Sequence, residues 1–232
     1  MGKAMNEFYE FHWKDSDPVI ELDYDAIVGE EIIPCPLDPG HPGIGWYRIN
    51  DLVAKLRSPK VRDVMNTWHS DYIITDRVAT MFKEQGFTGY ELRHVDVKLP
   101  QTDRFRRVIP PVLWELKATG WGGIAPESSG IKLVTICPGC CYTHYTALLH
   151  PEHLIDESQW DGSDFFFVWP MPGFIFITER VKDYVKEKRL KGVDIIPVEK
   201  LKSNNYGYSP GRLRYYMDRE RAKKLGGHLG ID

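Results

Sequence analysis

The chain has 232 residues, 42% hydrophobic and 27% charged, with a formal net charge of −3. That length suits one sizeable core or two small ones, and so small a net charge supplies no general drive toward nucleic acid or a membrane surface. No run of eighteen apolar residues occurs, so no membrane-spanning helix is expected.

Residues 1–31 interleave aromatics with nine carboxylates (Glu7, Glu10, Asp15, Asp17, Glu21, Asp23, Asp25, Glu30, Glu31) against Lys3 and Lys14. With no basic start and no apolar stretch this is not a secretory signal, and one or two strands are expected here. Four cysteines, two of them adjacent, do not form a disulfide framework, so a reducing cytoplasm is the expected setting. Residues 34–47 hold four prolines and three glycines, which demand a rigid loop carrying Cys35, Asp38 and His41. A short helix is expected over 49–56 with Asn50 as its cap, and another over 61–68.

An internal repeat follows. Residues 72–95 align without a gap on 175–198, with eight identities in 24 positions: Ile74/Ile177, Thr75/Thr178, Arg77/Arg180, Val78/Val181, Lys83/Lys186, Glu84/Glu187, Gly89/Gly192 and Val95/Val198. Each copy reads as strand, Thr-capped helix, Gly turn and second strand, with helical apolar spacing at Val78, Met81, Phe82 and at Val181, Tyr184, Val185. Arg77 and Arg180 fall in first helical turns, where a cation gains nothing from the dipole; a carboxylate partner is implied but not named by the sequence. Between the copies lie a strand candidate over 108–117, a Gly/Ser loop over 120–130, a strand over 142–149 and the buried aromatic strand Phe165 to Trp169, ended by Pro170. A basic helix closes the tail. No domain boundary is evident, and the expectation is a single α+β domain over 1–232 with two related strand–helix–strand units.

The chemistry concentrates at Leu133-Val134-Thr135-Ile136-Cys137-Pro138-Gly139-Cys140-Cys141. A strand ending in Cys-Pro-Gly-Cys turns two thiols to one side, where they can ligate one metal ion such as zinc. Pro138 sets one backbone angle and Gly139 lets the turn close. Two further ligands are needed for a closed structural site. Nearby candidates are Cys141, His144, His150 and His153; remote ones are Cys35, Asp38 and His41. A structural zinc commonly ties distant segments together, which favours Cys35 and His41 with Cys137 and Cys140, Asp38 being the substitute. The alternative is four plain thiols. No G-x-S-x-G, H-E-x-x-H or P-loop is present, so an enzyme is not expected.

From Pro111 to Val198 the chain resembles the double-CXXCG family, whose members include immunity proteins that protect bacteria against the toxins of competing kin. The residues carrying the resemblance are Leu113-Trp114-Glu115-Leu116, Cys137-Pro138-Gly139-Cys140, Ile155-Asp156-Glu157-Ser158, Asp164-Phe165-Phe166, Ile175-Phe176-Ile177-Thr178-Glu179-Arg180 and Leu190-Lys191-Gly192-Val193. The family's earlier knuckle is similar to Cys35-Pro36-Leu37-Asp38. Asp38 stands where its second cysteine would be, and Cys141 where a glycine would be, which leaves open a mixed site using His41 or Asp38, or no metal. The resemblance implies a cytoplasmic protein that binds and neutralises a cognate toxin domain, without catalysis. An acidic N-terminal segment suits a basic toxin. Two other readings stay open: a zinc-knuckle nucleic-acid-binding protein using Arg212, Arg214, Arg219, Arg221, Lys223 and Lys224, and a thiol-dependent enzyme using Cys140 or Cys141. In the metal reading, the Cys35 sulfur must meet those of Cys137 and Cys140.

Overall fold

A computed structural model describes residues 6–14, 19–23, 26, 29–30, 35–37, 47–48, 50–140, 142–202 and 206–232. Fifteen strands and three α-helices lie among them: β1 (Phe8–Trp13), β2 (Glu21–Leu22), β3 (Gly29–Glu30), β4 (Tyr47–Arg48), β5 (Leu52–Lys55), β6 (Val64–Asn66), β7 (Tyr72–Thr75), α1 (Asp76–Glu84), β8 (Tyr90–Lys98), β9 (Leu113–Ala118), β10 (Gly120–Ile124), β11 (Leu133–Ile136), β12 (Thr143–Tyr145), β13 (Phe165–Trp169), β14 (Phe176–Thr178), α2 (Glu179–Glu187), β15 (Val193–Pro197) and α3 (Arg219–Gly226). The class is α+β, as the sequence implies.

One sheet has six strands in the order β2-β5-β8-β9-β7-β6; the other has five, in the order β10-β13-β14-β1-β15. The repeat occupies equivalent places in both. β7-α1-β8 and β14-α2-β15 are the same unit, and α1 and α2 start and stop 103 residues apart. In each unit the two strands are held apart by an antiparallel strand from elsewhere. β9 lies between β7 and β8, and β1 lies between β14 and β15. The register makes these inserted strands equivalents: Glu115 faces Ile73 and Arg93, while Glu10 faces Phe176 and Ile196. Adding 103 to the first pair of partners gives the second. The duplication is therefore longer than the 24 residues that align without a gap. Each copy begins with a strand that completes the other copy's sheet.

Both helices bury their apolar stripe in one shared core. Val78 and Phe82 of α1 and Val181 and Val185 of α2 join Phe11, Ile74, Phe165 and Ile177 from the two sheets. A second core lies between the five-stranded sheet and the C-terminal segment, where Trp169, Phe167, Leu213, Ala222 and Ile231 meet. The third packs on the six-stranded sheet around Leu22, Leu52, Ile73 and Val95.

Several local expectations are corrected. The segments expected as helices contain β5 and β6. Leu52, Val53 and Ala54 are all buried, and a short apolar run buried on both faces has no period to separate strand from helix. The Gly/Ser loop begins as β10, parallel to β13. Its glycines serve close packing: a Cβ on Gly120 would stand 2.2 Å from the Phe165 carbonyl oxygen, and one on Gly122 would stand 2.4 Å from the Phe166 ring. The strand over 142–149 shrinks to β12, and that over 108–117 becomes β9. Thr75 and Thr178 occupy the N-cap positions with extended backbone, yet neither side chain caps its helix.

Candidate metal centre

β11 delivers Cys137 at its end, and the Pro138–Gly139 turn returns Cys140 to the same side. The turn is closed by the Cys137 N–H donating to the Tyr142 carbonyl at 2.8 Å. Cys35 arrives from the early loop. Its sulfur lies 3.5 Å from that of Cys137, and the Sγ atoms of Cys35, Cys137 and Cys140 all lie within 4.8 Å of one another. Three cysteines therefore stand close enough to hold a metal ion. The two knuckles also pack on each other: a Cβ on Gly139 would meet Leu37 at 2.8 Å and Pro36 at 3.3 Å. A side chain at that position would have to push Leu37 aside.

The sulfurs are not electrostatically alike. The backbone N–H groups of Cys140 and Gly139 face the Cys137 sulfur and lower its pKa to about 7. Burial pushes Cys140 up to about 11. The pocket thus sets one thiol lowered by facing N–H groups beside one raised by burial. Tyr142 and Tyr215 close the apolar surround.

His41, expected as the fourth ligand, lies outside the described residues, as do Asp38 and Cys141. The described histidines do not join the thiols. His144 Nδ1 contacts Ser209 Oγ at 3.0 Å, and His150 lies 3.6 Å from Glu152. Cys35 and Cys137 stand 102 residues apart, close to the 103-residue offset of the duplicated units.

Some residues of the charged segments proposed as contact surfaces are taken up by the fold. Arg221 donates to the Thr119 carbonyl at 2.7 Å and to Asp161 at 2.8 Å, and Arg212 donates to the Asp232 carbonyl at 3.1 Å. At the other end, Glu10 pairs with His12 at 2.9 Å, and Asp23 pairs with Lys98 at 2.6 Å and Lys55 at 2.9 Å. Asp15, Asp17, Asp25 and Glu31 fall outside the described residues.

One constellation escaped the sequence. A cavity of about 310 Å³ lies between the β6–β7 turn, β9 and the β13–β14 turn, and Tyr215 borders both it and the thiols. Arg48 and Glu115 form a buried ion pair on its wall, with Glu115 Oε2 lacking a hydrogen-bond partner. Burial raises the Glu115 pKa despite Arg48. The only signal for this in the sequence is a carboxylate in the middle of an apolar strand.

No protein-family model matches the chain, and no curated protein sequence matches it. No helix among the described residues is long and apolar enough to cross a membrane.

Proposed function

We propose that this is a zinc-stapled immunity protein that binds and neutralises a cognate bacterial toxin domain. The observation that carries the reading is the meeting of Cys35 with Cys137 and Cys140, which joins the two knuckles in which the chain resembles the double-CXXCG proteins. Thiolates around tetrahedral zinc at about 2.3 Å stand about 3.8 Å apart, close to the 3.5 Å between Cys35 and Cys137. Cys35, Cys137 and Cys140 would supply three ligands, and the fourth comes from the segment holding Asp38 and His41. Zinc here would act as a clasp: it closes the chain between two distant loops and leaves the outer surface for a protein partner.

The test is rescue. A toxin-domain gene lying beside the gene for this chain, expressed in a bacterial host, should arrest growth. Co-expression of this protein should restore it, and the two should co-purify. Failure of both rescue and complex formation defeats the immunity reading. Elemental analysis should find roughly one zinc per chain, the count for a single closed site.

A thiol-dependent activity is the second reading, favoured by the lowered pKa of half-buried Cys137. It requires a metal-free protein in which Cys137 is alkylated faster than an ordinary thiol.

A further inference from the structure

A cavity of about 850 Å³ opens beside the six-stranded sheet, where β2 begins, β5 ends and the segment joining β5 to β6 lines it. Its floor is apolar. Ile20, Leu56 and Met65 are each more than nine-tenths buried from solvent, yet they line the cavity. Its rim is basic: Arg57, Lys60 and Arg62 are exposed along one short loop, and Lys55 stands beside them. Glu21 is the one carboxylate-bearing residue lining it among the described residues. Trp68, at the mouth, is 74% exposed, an indole left in water beside an apolar cleft.

We infer that this cleft binds a small anionic amphiphile: an acyl or aromatic body carrying a carboxylate, sulfonate or phosphate head. Size and charge select that class of ligand. The volume falls among those of small-molecule sites, roughly 300–1,000 Å³. Apolar walls reward burial of a hydrocarbon body at about 25 cal/mol per Å². Burying that body brings the head to the rim, where Arg57 and Lys60 meet it and a cationic head is repelled. Trp68 then covers the entrance and loses its exposed face to the ligand. Neither the thiols nor the immunity reading enters this argument.

The probes are 8-anilino-1-naphthalenesulfonate, laurate below its micelle concentration, dodecylammonium and dodecyl maltoside. The fluorescent sulfonate should bind saturably at one site, with energy transfer from Trp68 that Trp68→Phe reduces. Laurate should displace it; dodecylammonium and dodecyl maltoside should do so at least about tenfold less well, a gap of about 1.4 kcal/mol. Arg57→Glu with Lys60→Glu should weaken laurate at least about tenfold, and added salt should weaken it in the wild type. Both residues are exposed, so the double variant should retain the wild-type circular dichroism spectrum and melting temperature. Displacement by dodecylammonium as effective as by laurate overturns the proposal. So does a double variant that binds laurate normally. Displacement by an acidic amphipathic peptide but not by laurate assigns the cleft to a protein segment instead.

Discussion

Asp63 and Asp164 answer the question posed by the two helix-start arginines. Asp63 accepts from Arg77 at 2.6 Å and from the Lys191 N–H at 2.9 Å; Asp164 accepts from Arg180 at 2.8 Å and from the Thr88 N–H at 3.0 Å. Each carboxylate thus ties its own copy's helix to the other copy's Gly turn. They stand 101 residues apart, not 103, which is why the gapless alignment stops short of them. Asp164→Ala removes an almost buried acceptor that also serves Thr88 and Thr178 hydroxyls, and should cost about 1–3 kcal/mol in a urea melt. Asp23 gives a pH prediction. Lys98 and Lys55 hold its carboxyl below the ordinary value. Its contribution is therefore complete above the unfolded-state carboxylate range, near pH 4, and is lost as pH falls through the lower folded value. Asp23→Asn should destabilise the protein at neutral pH and flatten the acid limb of its stability curve. In the zinc reading, Cys137→Ser and Cys140→Ser should each lower the metal content found by elemental analysis.

At the scale of elements, the Gly turns are the tightest points of the repeat. Gly89 and Gly192 have φ of 79° and 87°. A Cβ on Gly89 would lie 2.0 Å from the Phe165 carbonyl oxygen, and one on Gly192 would lie 2.0 Å from that of Val64. Each glycine packs against the β-strand that leads into the other copy's unit. Gly89→Ala and Gly192→Ala should therefore each cost about 3 kcal/mol or more, combining backbone strain with a clash against main chain. Gly162 has φ of 86° but nothing within 4 Å of its would-be Cβ. Gly162→Ala should cost only about 1–2 kcal/mol, the strain by itself. Thermal melts of the three variants separate the two effects.

Across the whole molecule, the exchanged strands tie the two copies together, as a metal held by the three thiols would. The connector between β8 and β9 is solvent-facing, with Ile109 87% exposed. Cutting the chain after Arg107 leaves each half without the central strand of its own unit. Fragments 1–107 and 108–232 should be insoluble when expressed apart and should form a 1:1 complex when expressed together. Independent folding of either fragment would contradict the exchange. In the metal reading, a chelator should lower the melting temperature, because a clasp across the 102 residues from Cys35 to Cys137 would remove on the order of 4 kcal/mol of chain freedom from the unfolded state.

Local pattern by itself determined the α+β class, the presence and Thr-marked starts of the two repeat helices, the buried aromatic strand and the duplication, because helical spacing and repeated Thr, Arg and Gly positions are written in consecutive residues. The knuckle at Cys137 and Cys140 was legible from thiols at short spacing, and its link to Cys35, 102 residues away, from the tendency of a structural metal to tie distant segments together. Only the tertiary structure decided the rest. Leu52 to Ala54 became a strand because both its faces are covered by distant segments. β9 pairs with β8 and β7 just before it, whereas β1 completes the second sheet by pairing with β14 and β15, more than 160 residues further along the chain. The Arg48–Glu115 pair and the amphiphile cleft arose where elements far apart in sequence meet, and burial of that kind leaves no period in the chain.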